Sequence, residues 1–135
     1  VAEAASGRTS NQRAGDEAET LVAKLLAARG WTVLARNVKA GRSELDIVAI
    51  EPGPLSRLAV VEVRWRSSRE FGLAEETLDT RKRSHLIGGI GRLLEIGRLP
   101  DSTPLPHLPI ALHLAVVEPG SKGRPTVRLY RDALI

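Results

Sequence analysis

Apolar residues near the start of the chain recur at helical spacing. Between Ala14 and Arg29, the residues Ala18, Leu21, Val22, Leu25 and Leu26 follow an i, i+3, i+4, i+7, i+8 pattern that closes at Gly30. This predicts an amphipathic helix with one apolar face. The period then shortens to the two-residue alternation of strands, expected at Trp31–Asn37, 44–51 and Leu58–Arg66. Pro52, Gly53 and Pro54 force a turn between the last two, so they should form an antiparallel hairpin. A second helix is expected from Glu75 or Thr80 to Leu99, weakened by Gly88, Gly89, Gly91 and Gly97; each costs about 1 kcal/mol against alanine. Residues 100–109, rich in proline, predict a loop, and Ile110–Val117 and Pro125–Arg131 predict two further strands. No internal repeat occurs. This order predicts an α/β sandwich, a mixed sheet of about five strands with helices over its faces.

The alternation has a fault in SELDIVAI, residues 43–50. Strict alternation puts Leu45, Ile47 and Ala49 on one face and Glu44, Asp46, Val48 and Ile50 on the other. On the third strand it separates Ala59, Val61, Val63 and Trp65 from Val60, Glu62, Arg64 and Arg66. A hairpin symmetric about Pro54 sets Asp46 opposite Glu62 and Glu44 opposite Arg64. Carboxylates facing each other across a ladder repel unless something neutralises them, and a carboxylate beside a core is costly unless paired or bound to a cation. Oxygen ligands of this kind suit Mg²⁺ or Mn²⁺, which polarise phosphates and activate water. A plainer account stays open: Glu44 with Arg64 as an ordinary cross-strand pair, and Asp46 with Glu62 facing solvent.

Composition narrows the partners. The 135 residues suit one domain, expected at 14–135 behind a flexible tail at 1–13. The net charge of +4 favours polyanions. No cysteine is present, which excludes disulfides, thiolate zinc sites and cysteine nucleophiles. The N-terminal segment has no apolar core, and no run of about 18 apolar residues occurs. The expectation is a cytoplasmic protein with no membrane partner.

The joint pattern is specific. Gly15, Ala18, Glu19, Val22, Leu25, Leu26 and Gly30-Trp31, then ARN at 35–37, SELDIV at 43–48, VVEVRWR at 60–66 and Phe71-Gly72 resemble the YraN-like family of bacterial proteins. Weaker matches run through TRK at 80–82 and the strand at 110–117 to LYRDAL at 129–134. The resemblance implies a restriction-endonuclease-like fold related to Holliday-junction resolvases. It implies a metal-dependent nuclease acting on structured or branched DNA, in which Asp46 and Glu62 hold Mg²⁺ or Mn²⁺. Arg64 stands where that pattern has lysine. Arginine stays protonated and cannot act as a base, but it can orient water or stabilise charge on a phosphate. A DNA-binding module that keeps the fold without cleavage is therefore the alternative, and a protein-interaction domain a third reading. Glu19 maps to the family's helical glutamate. At about 100° per residue it lies about 20° outside the apolar arc, within reach of the sheet. Glu44 is a further supporting acid. By analogy with the related resolvases a homodimer is implied, with the glycine-containing helix as interface. Ser43 replaces the usual glycine and His113 the usual aspartate.

Arg36, Lys39, Arg42, Arg66 and Arg69 would ring the hairpin site and suit a nucleic-acid backbone. Lys82, between Arg81 and Arg83, could contact phosphate, although such runs are more often a solvated face. Trp65 could stack on a base, but its parity predicts core packing. His85, His107 and His113 lack the close spacing of a metal pair, and IGGIGR at 87–92 does not complete a dinucleotide fingerprint.

Overall fold

In the computed structural model, which describes residues 10–66 and 80–133, the elements run α1 (Ser10–Ala28), β1 (Thr32–Ala40), β2 (Ser43–Glu51), β3 (Arg57–Trp65), α2 (Thr80–Ile96), β4 (Ile110–Pro119) and β5 (Pro125–Tyr130). The strands form one mixed sheet in sequence order. All neighbours are antiparallel except β3 and β4, which are parallel. A parallel pair needs a crossover between its strands, and α2 lies within that crossover. The expected α/β fold is therefore the observed one. The predicted elements sit within a few residues of the real ones. The first helix starts at Ser10, ahead of Ala14, and the second ends at Ile96, before Leu99.

Each face of the sheet carries one helix. Ala18, Val22 and Leu26 of α1 pack on Ile47, Ala49, Ala59, Val61, Ala115 and Val117. Leu86, Ile90 and Leu93 of α2 pack on Val38, Leu45, Val48, Val60, Leu112 and Leu114. The helical glycines are not equivalent. A Cβ on Gly89 would lie 2.8 Å from the Ser43 Cβ, whereas Gly88 and Gly91 face open space. Ser43 also donates from Oγ to the main-chain oxygen of His85 at 2.5 Å, so this serine ties β2 to α2 where a glycine could not.

Leu45 corrects the strict alternation: it packs in the α2 layer, while Ile47 and Ala49 pack in the α1 layer as expected. The phase changes at Asp46. On β1, Arg36 pairs with Ile47 and Val38 with Leu45; Asn37 falls between them, across from Asp46, with φ at 52°. Asparagine tolerates this left-handed conformation better than most residues. The kink turns the strand pair, and Leu45 and Ile47 can then enter opposite layers.

His113 is a fully buried core histidine. Its Nε2 lies 2.7 Å from Glu51 Oε1, and its Nδ1 accepts the Asp132 N–H at 2.9 Å. The neutral ring must then carry its proton on Nε2 and donate to Glu51. Arg57 donates to Glu51 Oε2 at 3.1 Å and to Asp132 Oδ1 at 2.8 Å, and Arg131 also pairs with Glu51. Burial pushes the Glu51 carboxyl up, but the hydrogen bonds from His113 and Arg57 outweigh it and hold it below its ordinary value. This cluster fastens residues 131–133 to the sheet, helped by Ala133 N–H donating to Leu112 O at 2.7 Å.

Candidate active site

The β2–β3 ladder has the register expected from a hairpin symmetric about Pro54. It runs from Glu51 opposite Arg57 to Ile47 opposite Val61 and stops there, although both strands continue. Asp46 and Glu62 are the next residues along. At this opening, Asp46 Oδ2 accepts the main-chain N–H of Val63 at 2.8 Å. A side chain thus takes the acceptor role that a strand carbonyl has elsewhere.

The carboxyls of Asp46 and Glu62 lie close enough to act on each other, and two like charges so placed favour keeping a proton on the pair. Glu62 is pushed up to about 7 by burial and then by the Asp46 charge, against the opposing pull of Lys82. Asp46 is also raised, by burial, with the Val63 N–H, Glu62 and Lys82 acting the other way. Lys82, in the first turn of α2, brings Nζ to 3.2 Å from Glu62 Oε1. Glu62 Oε2 is buried and receives no hydrogen bond.

Glu19 reaches this group from α1. Its side chain is 12% exposed, and Arg36 Nη2 lies 3.8 Å from its Oε1, an atom that is buried and accepts no hydrogen bond. Burial and then the Asp46 charge push its carboxyl up to about 7. Arg36 is steadied by donating from Nη2 to Thr20 Oγ1 at 3.1 Å. Glu44 is exposed and raises both neighbours electrostatically. It sits across from Lys39 on β1, and no ion pair joins it to Arg64, so the expected Glu44–Arg64 pair does not form. Beyond Val61 the strands no longer hold the register that would bring them together.

The remaining cations are dispersed. Arg64 is half-buried, in register with Val116 of β4. Arg42 lines a groove with Ser84, His85 and the glycines of α2. Arg66 is half-buried at the end of β3, its N–H donating to Val117 O at 2.8 Å. Arg69 and Phe71-Gly72 lie outside the described residues. Trp65 departs from the expected core packing: it is 38% exposed and walls a pocket with Ala18, Leu21, Val117 and Pro125. Ala18 and Leu21 of α1 face it across this open pocket, so the indole is only partly covered. The Lys82–Glu62 pair had no local signal in the sequence, because the packing of α2 alone brings them together.

A divalent cation fits these residues. A buried carboxylate oxygen without a donor, beside a second acid whose charge acts on it, is a place where a cation would offset charge that hydrogen bonds leave unmet. Among the described residues no group of three or more His, Cys, Asp or Glu forms a ready-made metal cage. An ion held by Asp46 and Glu62 would keep several of its waters, as Mg²⁺ usually does.

A five-stranded mixed sheet with one helix on each face is the α/β fold class expected of a restriction-endonuclease-like protein. Residues 18–102 match the model of a family described as uncharacterised protein family UPF0102, and the chain belongs to that family, the one its YraN-like motifs point to. It is 33% identical over 125 residues to a UPF0102 protein of Symbiobacterium thermophilum, covering 91% of this chain and 97% of the relative. A UPF0102 protein of Roseiflexus castenholzii is 41% identical over 92 residues, 68% of this chain and 72% of its own. One from Methylococcus capsulatus is 29% identical over 120 residues, 89% of each. No helix among the described residues is long and apolar enough to cross a membrane.

Proposed function

We propose that the protein is a Mg²⁺- or Mn²⁺-dependent endonuclease that hydrolyses phosphodiester bonds in structured or branched DNA. The observation carrying this reading is the Asp46–Glu62 contact with a buried, unbonded Glu62 Oε2. Asp46 and Glu62 would hold the ion, which when bound polarises the phosphate and activates water. Asp46 is oriented by the Val63 N–H, which fixes one of its oxygens. Glu19 adds a carboxyl of raised affinity for protons, suited to receiving the proton that water gives up at neutral pH. Arg64 would face the scissile phosphate as a fixed positive charge, and Arg36, Lys39, Arg42, Arg66, Arg69 and Lys82 would contact the backbone, as phosphate contacts position a duplex without reading its bases.

The test is incubation of the purified protein with Mg²⁺ or Mn²⁺ and junction, flap and duplex DNA, beside Asp46→Ala and Glu62→Ala. Cleavage by the wild type alone is expected. Equal cleavage by wild type and both variants would assign the activity to a contaminant. Arg64, which cannot serve as a base, favours a second reading, a DNA-binding module without catalysis; it requires salt-dependent DNA binding with no metal-dependent product.

A further inference from the structure

Lys82 does more than its place in a basic run suggests. Its Nζ contacts Glu62, at 3.2 Å from Oε1, and it also acts on Asp46. It comes from α2, on the other side of the sheet from α1 and Glu19. The Glu62 side chain is only 9% exposed, whereas that of Lys82 is 46% exposed. A long flexible ammonium therefore enters a nearly buried acid pair from solvent and can leave by the same route. Divalent cations need the same oxygens, and two positive groups cannot share one carboxylate without repulsion.

We propose that Lys82 is the built-in counter-cation of the acid pair, competing with a divalent cation for Glu62. This rests on the reading of Asp46 and Glu62 as metal ligands. Without metal, Lys82 offsets charge that Glu62 Oε2 has no hydrogen bond to satisfy. A divalent cation must displace it, so Lys82 weakens metal uptake at the site while keeping the metal-free protein folded. Displaced, its ammonium remains at the mouth of the pair, where a phosphate oxygen would meet it.

The experiment is calorimetric titration of Mn²⁺ into wild type, Lys82→Gln and Lys82→Arg, with thermal melts of each with and without Mn²⁺. Lys82→Gln should bind Mn²⁺ more tightly than wild type, on the order of tenfold. It should melt lower than wild type without metal and gain more on adding it. Lys82→Arg, which keeps the charge, should bind as wild type does. Mn²⁺ uptake by Lys82→Gln with wild-type or weaker affinity overturns the competition and leaves the metal site standing. Absence of uptake by all three proteins removes the metal site and the proposal together.

Discussion

Asp46 Oδ2 and the main-chain N–H of Val63 are joined at 2.8 Å, at the point where the β2–β3 ladder has ended. The bond gives Asp46 two duties, as an acceptor for an otherwise open strand end and as half of the acid pair. These duties separate by substitution. Asp46→Ala leaves the Val63 N–H without its acceptor and should cost about 1–3 kcal/mol in urea unfolding. Asp46→Asn retains an acceptor and removes a charge, so it should unfold close to wild type. Both should lose Mn²⁺ uptake; an asparagine variant as unstable as the alanine one contradicts this division.

The acid pair makes stability depend on pH. Glu62 and Glu19 hold their protons up to about 7 when folded, against 4.5 for an ordinary glutamate. Between those values the folded protein retains protons that the unfolded chain has released, so stability falls as pH rises through the window. For the nearly buried Glu62 the loss should be on the order of 2–3 kcal/mol; the more accessible Glu19 adds less. Glu51 and Asp132 are held below their ordinary values, and their contribution is lost only at more acidic pH. Melting of metal-free protein from pH 4.5 to 8 checks the slope, which Glu62→Gln should largely flatten.

The glycines of α2 should respond in opposite directions. Gly88→Ala and Gly91→Ala fill open space and remove a poor helix former, and each should stabilise by about 0.5–1 kcal/mol. Gly89→Ala drives a methyl into Ser43 and Leu45 and should destabilise by about 1–3 kcal/mol. Denaturant midpoints of the three variants test this, and a stabilised Gly89→Ala would mean that α2 does not press on β2.

Asn37, left-handed across from Asp46, can be probed in the same way. Asn37→Gly should leave stability within about 0.5 kcal/mol, since glycine accepts positive φ. Asn37→Val should cost about 1–2 kcal/mol and weaken Mn²⁺ binding by misplacing Asp46. Metal affinity untouched by the valine would show that the kink does not set the site.

Removing Glu51 should be the most damaging change outside the acid pair. Glu51→Ala strands His113, Arg57 and Arg131, all of which bond to it, and should cost about 3–5 kcal/mol. Thermal unfolding measures it, and a small loss would show that residues 131–133 are held by their main-chain bonds alone.

The sequence by itself determined the elements, their order and the hairpin register. These depend on information within a few residues: the helical spacing from Ala18 to Leu26, the two-residue alternation, and the Pro-Gly-Pro turn that centres the hairpin. It also brought Asp46 beside Glu62 and turned Glu19 toward the sheet, because register and helical phase carry a residue's direction some way from its neighbours. Only the tertiary structure decided the layer of Leu45, the partner of Glu62, the separation of Glu44 from Arg64 and the burial of His113 against Glu51. Each of these turns on groups distant in the chain. The kink at Asn37 resets the phase of the facing strand, and the packing of α2 carries Lys82 to an acid on β3. The end of a ladder releases residues that register alone would pair, and a histidine on β4 finds its acceptor on β2. Periodicity records which way a side chain leaves its own backbone, but not what another element has placed there.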